Sequence, residues 1–176
     1  MAIRPAREDD IPAIRGLIRG LADYERMADQ AVATEDDLRA TLFGSRPYAE
    51  VVLAEADDVV AGFSRPEDVG AGFSRPGDVG AGFSRPIMGF ALFFHNYSTF
   101  RGKPGIYLED LFVIPEARGR GVGRALLLHV KAVAIARGCG RMEWSVLGWN
   151  EPAIGFYQKL GAVMMDDWRL CRITLP

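Results

Sequence analysis

The sequence predicts a layered α/β domain, and three observations predict it. Short β-branched and aromatic runs alternate with runs of helical period along most of the chain. A glycine-rich turn joins one such strand to one such helix at mid-chain, and Gly, Pro, Asn and Asp separate the neighbouring elements.

At the N-terminus, Ile3 and Arg4 precede Pro5, which pushes the residue before it toward extended geometry, so a short first strand is expected. Glu8, Asp9 and Asp10 suit the positive end of a helix dipole, and Ile11, Ile14, Leu17, Ile18 and Leu21 recur at helical spacing after them. That helix ends on Asp23-Tyr24-Glu25. Thr34 followed by Asp37 resembles a capping box and opens a second helix carrying Leu38 and Leu42, stopped by Gly44. Tyr48 to Glu55 reads as a strand.

A ten-residue period follows: Ala61 to Gly70, Ala71 to Gly80 and Ala81 to Pro86 begin with the same Ala-Gly-Phe-Ser-Arg-Pro. The unit is too short and too poor in apolar residues for a solenoid. Val59-Val60-Ala61-Gly62-Phe63 resembles Ile87-Met88-Gly89-Phe90, the start of the next strand (Ile87 to Phe94), so the repeat reads as a duplication of a strand's beginning inside a hairpin loop. Loop-closure entropy grows only logarithmically with length, so an insertion at about 61–86 is tolerable as a mobile surface loop; alternatively one copy competes for the strand edge.

Arg101 to Gly105 is a turn, and Ile106 to Val113 is a strand closed by Pro115. The turn Arg118-Gly119-Arg120-Gly121-Val122-Gly123-Arg124 leads into the apolar helix Ala125 to Ala136, ended by Gly138 and Gly140. Arg141 to Leu147 is expected to be a strand, and Asn150-Glu151-Pro152 opens a helix from Ala153 to Leu160, ended by Gly161. Val163 to Met165 and Trp168 to Thr174 read as closing strands. The tally is about six or seven strands and about four helices in one domain spanning residues 1–176.

Composition narrows the function. An apolar fraction of 49% with 25% charged residues is ordinary for a soluble globular protein, and a net charge of −2 argues against nucleic-acid binding through a broad basic surface. It leaves a small cationic substrate open. Cys139 and Cys171 lack the number and spacing of a disulfide framework or metal site and read as small buried thiols. His95 and His129 have no ligand spacing either, so no metal is expected. With no apolar leader or membrane-length run, a cytoplasmic location is expected, with no membrane partner.

Glycines at 119, 121 and 123 remove side chains where a helix begins, exposing backbone N–H groups to an anion, and Arg118, Arg120 and Arg124 add positive charge. A P-loop needs Gly-Lys followed by Ser or Thr, which this turn lacks. The dinucleotide pattern Gly-x-Gly-x-x-Gly breaks at Arg124. Arg-x-x-Gly-x-Gly, from Arg118 to Gly123, resembles the acetyl-CoA pyrophosphate loop of the GNAT superfamily of N-acetyltransferases.

The likeness extends to Tyr107-Leu-Glu-Asp-Leu-Phe-Val113, to Asn150 followed by a helix bearing Phe156-Tyr157, and to Leu21-Ala-Asp-Tyr-Glu25. With these blocks the chain is similar to the diamine (spermidine/spermine) acetyltransferase branch over nearly its whole length except the repeat. The resemblance implies a GNAT fold with a mixed central sheet, acetyl-CoA as cofactor, a small amine substrate and a homodimer.

It also implies roles. Backbone N–H groups of Leu111, Phe112 and Val113 would hold the pantetheine arm; Arg118, Gly119, Arg120, Gly121, Val122, Gly123 and Arg124 the pyrophosphate; Asn150, Glu151, Pro152 and Ala153 the rest of the cofactor cleft. Tyr157 would be the general acid that protonates the departing thiolate, and Glu109 would pass the amine's proton to water. Tyr24, Glu25 and Glu109 would contact the amine, with Asp110 a further carboxylate; as strand neighbours, Glu109 and Asp110 should point to opposite faces. Read from the residues alone, Tyr24-Glu25 is more readily a solvated helix end, and Phe156-Tyr157 is the usual core aromatic pair of a short helix.

Overall fold

The computed structural model describes residues 1–57 and 85–175, within two compact units, Met1–Trp144 and Ser145–Pro176. The expected repeat insertion falls almost wholly on residues 58–84, outside the described residues.

The first unit holds a mixed five-stranded sheet in the order β1 (Ala2–Pro5), β2 (Glu50–Glu55), β3 (Ile87–Ser98), β4 (Lys103–Val113) and β5 (Met142–Glu143). β1 to β4 pair antiparallel, and β5 joins β4 in parallel. A parallel neighbour requires a crossover, and the helix α3 (Val122–Ala136) supplies it.

Alternation along the strands sends side chains to two faces. Val51, Leu53, Phe90 and Phe112 form one core cluster with Ile11, Ile14 and Leu17 of α1 (Ile11–Glu25) and with Leu38 and Leu42. Val52, Ala91, Phe93 and Leu108 alternate to the other face, where α3 buries Val122, Leu126, Leu127 and Val130. Full burial of Phe90 and Phe93 within β3 fixes its register, because a one-residue slip would turn both toward the wrong layer.

The expected capping box is present: Asp37 N–H donates to Thr34 Oγ1 at 3.1 Å and Thr34 N–H to Asp37 Oδ2 at 2.9 Å. The helix it opens, α2 (Glu35–Leu38), widens into a π-helical turn, Arg39–Phe43, which still delivers Leu42 to the core. Beyond α3, Gly138 adopts φ 67° and Cys139 N–H reaches back to Ala134 O, a left-handed cap that glycine allows.

Three strand expectations are corrected. Arg141 to Leu147 pairs only through Met142 and Glu143. Val163 to Met165 and Trp168 to Thr174 form no strand; Val163, Trp168, Leu170 and Ile173 are exposed. A strand needs a partner ladder, and the described residues of the second unit contain none. That unit's regular element is α4 (Glu151–Lys159). Of the cysteines, Cys139 is half-buried and Cys171 exposed rather than buried. No helix among the described residues is long and apolar enough to cross a membrane.

α1 is anchored at its start. The Arg4 guanidinium donates to both carboxylate oxygens of Asp10, at 2.6 and 2.8 Å, and its Nε to Glu55 Oε1 at 2.6 Å. Arg4 and Asp10 are shielded from solvent, so this fork is stronger than a surface pair. It holds the Asp10 carboxyl below its ordinary value of 3.8. Stability from a depressed carboxylate is present above the unfolded value and lost as pH falls through the folded one. Arg4→Met should therefore lower urea-denaturation stability by about 1–3 kcal/mol at pH 7. The deficit should shrink below pH ~4 as Asp10 takes up its proton.

Candidate active site

β3 and β4 do not pair continuously. Leu92 lies opposite Asp110 and Phe93 opposite Leu108, so Glu109 has no partner and forms a β-bulge. A bulge breaks the alternation and re-aims the side chains beside it. Glu109 is exposed and Asp110 is drawn inward beside this break. Asp110 sits opposite Leu92, which packs on the core cluster beneath α1.

Asp110 is enclosed, and burial first, then the charges of Glu109 and Glu25, push its carboxyl up to about 7. Glu25, at the end of α1, is raised by burial as well. Three carboxylates thus lie within electrostatic reach of one another, from two elements that are far apart in sequence. Among the described residues no group of three or more His, Cys, Asp or Glu could hold a metal ion.

Tyr24 lies one residue before Glu25 on the last turn of α1, which closes with Arg26 in the left-handed region at φ 62°. The Arg118 guanidinium carbon lies 4.8 Å from the Tyr24 ring centroid and 5.6 Å from that of Phe112. Its Nε donates to Val113 O at 3.0 Å. Phe112 also meets α1: a Cβ added at Gly20 would come within 3.1 Å of its ring. The end of α1, the end of β4 and the start of the following turn are thereby packed together.

In that turn Gly119 and Gly121 take φ 74° and 81°, and a Cβ at either would meet nothing within 4 Å. Glycine is needed there for its backbone, and the surface over the turn stays open. Gly121 immediately precedes α3, whose first turn carries no side-chain cap, so its leading N–H groups remain available to an anion. β5 meets β4 only at Ile106 and Tyr107, so among the described residues β4 has no strand beside Leu111, Phe112 and Val113 on that edge. An extended ligand could lie there as an added strand. Backbone turn, helix end and open edge together fit a pantetheine diphosphate.

The remaining expected residues belong to the second unit. Asn150 is buried and caps α4, its Oδ1 accepting from Ala153 N–H at 3.3 Å. Glu151, Pro152 and Ala153 form the first turn of that helix. Tyr157 is buried beside Phe156, with ring centroids 5.1 Å apart.

The model of the acetyltransferase (GNAT) family matches residues 20–162. The chain belongs to the GNAT acetyltransferase family. It is 36% identical over 190 residues to an L-ornithine N5-acetyltransferase of Arabidopsis thaliana, covering 98% of this chain and 83% of that protein. It is 37% identical over 160 residues to a thialysine N-epsilon-acetyltransferase of Bos taurus, covering 91% and 82% respectively. A solved structure described as a probable acetyltransferase shares the fold, with a TM-score of 0.72 at 20% identity over 100% of this chain and 99% of the other. Enzymes of this family draw the acetyl group from acetyl-CoA.

Two features of this GNAT site go beyond the motif residues. The Phe112 ring lies under the Arg118 guanidinium, and Gly20 lets α1 approach it. A glycine inside a helical run, at a cost of about 1 kcal/mol against alanine, is the signal in the sequence for such an approach.

The raised Asp110 carboxyl fixes a pH dependence. Below 3.8 folded and unfolded chains both hold the proton; between 3.8 and about 7 only the folded chain does, so stability falls as pH rises; above that the loss is complete. Relative to wild type, Asp110→Asn should gain stability progressively from pH 4 to 7, by on the order of 4 kcal/mol at full extent. Urea denaturation at pH 5, 6, 7 and 8 checks this; a difference constant across that range contradicts it.

Proposed function

We propose that this acetyltransferase transfers the acetyl group of acetyl-CoA directly to a terminal primary amine of a small polyamine or diamine. The observation that carries the reading is the cluster of Glu25, Glu109 and Asp110, with Tyr24 next to Glu25 in the chain, in the same unit as the glycine turn. Such a cluster suits a flexible molecule with separated positive charges.

Acetyl-CoA, when bound, supplies the activated thioester. The backbone from Gly119 to Arg124, with Val122 and Gly123 opening α3, takes the pyrophosphate, and Arg118, Arg120 and Arg124 add charge. Leu111, Phe112 and Val113 hold the pantetheine arm along the open edge of β4.

Glu25 and Asp110 hold the ammonium groups that do not react, and the Tyr24 ring adds cation–π attraction. The attacking nitrogen must be neutral, and the exposed Glu109 relays its proton to water. As the C–N bond forms and the C–S bond breaks, the nitrogen would shed its second proton to water, and the Tyr157 hydroxyl would protonate the departing sulfur and be reprotonated from water. A second copy of the chain is the proposed partner: the exposed Trp168, Leu170 and Ile173 of the carboxyl-terminal stretch support pairing between copies.

A second reading is favoured by the relatives, whose names give L-ornithine and thialysine as substrates. Here the acceptor is the side-chain amine of a lysine-like amino acid, held by the same carboxylates.

CoA release from acetyl-CoA should be saturable with spermidine, diaminopropane, ornithine, thialysine or lysine, and the member with the highest kcat/KM decides between the readings. If acetyl-CoA binds and none of these amines releases CoA, a protein acceptor or a non-catalytic sensor replaces both. Tyr157→Phe should lower kcat by about 10²–10⁴. Turnover equal to wild type would remove Tyr157 from the chemistry.

A further inference from the structure

We infer that Asn96 and Glu143 are positioning residues that clamp the point where the open edge of β4 begins, and so set the affinity of the site for CoA. The inference rests on the placing of the pantetheine arm along Leu111, Phe112 and Val113 given above. β5 pairs with β4 at two positions, Ile106 with Met142 and Tyr107 with Glu143, and Ile106 N–H donates to Arg141 O at 3.1 Å just before them. At two residues β5 is shorter than most strands, and its ladder alone holds it weakly. Glu143 ends it, so β5 parts from β4 there and an added strand can begin beyond.

Side chains reinforce that point from the far side of β4. Asn96 of β3 lies opposite Gly105 of β4. With no side chain in the way, its amide crosses β4, and Nδ2 donates to Glu143 Oε2 at 3.0 Å. The same oxygen pairs with Arg141 Nε at 2.7 Å, and Arg141 Nη1 donates to Oγ of the buried Ser98 at 3.2 Å. The chain of contacts from Asn96 through Glu143 and Arg141 to Ser98 therefore starts and ends on β3 and holds β5 across β4. Gly105 is required for it: a Cβ there would lie 2.2 Å from Asn96 Oδ1 and 3.3 Å from Arg141 Cγ. Asn96 Oδ1 is buried with no hydrogen-bond partner among the described residues, which is unfavourable. The bond to Glu143 selects this orientation all the same, because turning the amide over would set Oδ1 against a carboxylate.

With the clamp closed, the slot beside residues 111–113 starts at a fixed place and CoA meets a formed edge. With it open, the end of β5 samples other positions, and apparent affinity falls by the fraction of molecules in which the slot is formed. The clamp contains none of the residues assigned to the amine or to proton transfer, so its loss should fall on the cofactor alone.

Calorimetric titration of CoA, steady-state kinetics with whichever of spermidine and L-ornithine is turned over, and amide hydrogen exchange test this on the full-length protein. Asn96→Ala and Glu143→Ala should each weaken CoA about three- to tenfold and raise the acetyl-CoA KM in step, with kcat and the amine KM within about twofold of wild type. The double variant should be no weaker than either single one, because each opens the same clamp. Glu143→Gln, which keeps an oxygen for the Asn96 amide, should recover most of the affinity. The Ile106 amide should exchange faster in Asn96→Ala than in wild type. Gly105→Ala reaches the same state by displacing Asn96, and it stands in for Asn96→Ala if that variant does not fold. Wild-type CoA affinity in the variants, multiplicative losses in the double variant, Glu143→Gln as weak as Glu143→Ala, an unchanged Ile106 amide, or a loss that falls on kcat or the amine KM overturns the clamp. In wild type, CoA should slow exchange at residues 111–113. If CoA fails to bind or leaves those amides unchanged, the placing of the pantetheine arm falls and the clamp falls with it.

Discussion

The pairing of β3 with β4 skips Glu109, and the electrostatics of the site depend on that skipped residue. A regular antiparallel ladder would separate the side chains of residues 109 and 110 by the thickness of the sheet. Asp110 stands beside the break in this ladder, and the charges of its neighbour Glu109 and of Glu25 on α1 both act on it. Burying negative charge in this way is unfavourable unless a counter-charge arrives or a proton stays. Burial pushes the Asp110 carboxyl up to about 7, so the folded protein keeps this proton until pH approaches neutrality.

Placement of α1 is the second requirement, and it is secured at both ends by different means. At its start the Arg4 fork holds Asp10 by directional, charge-assisted hydrogen bonds. Near its end Gly20 allows close packing on Phe112, and Tyr24 shares Arg118 with the same ring. Between these anchors Ile11, Ile14 and Leu17 are buried against the sheet. Glu25 is thus positioned by α1, and the glycine turn leads into α3, the two helices packing on opposite faces of one sheet.

Much of this is legible in the sequence because local chemistry leaves few choices. Gly119 and Gly121 do form the turn that opens α3, Thr34 and Asp37 do form a box, and Asn150 does open α4 as its cap. Strand expectations succeed where apolar runs are buried between layers, as in β2, β3 and β4. They fail at Val163 to Thr174, whose apolar residues satisfy strand propensity but lack a partner within the second unit. The bulge is not legible either: Tyr-Leu-Glu-Asp-Leu-Phe contains no glycine or proline to announce it, and it exists only as a register relation to Leu92 and Phe93. For the same reason the proton on Asp110 and the stack of Arg118 on Tyr24 are properties of the assembled fold.

The central claim is that Asp110 exchanges a proton for the charge of the amine. Carbon-13 NMR of the Asp110 side-chain carboxyl, titrated from pH 4 to 9 with and without saturating diamine, tests it most directly. The account predicts a midpoint of about 7 in the free protein, moving clearly downward when the amine is bound. A midpoint near the ordinary 3.8, or one that the amine leaves in place, would contradict it.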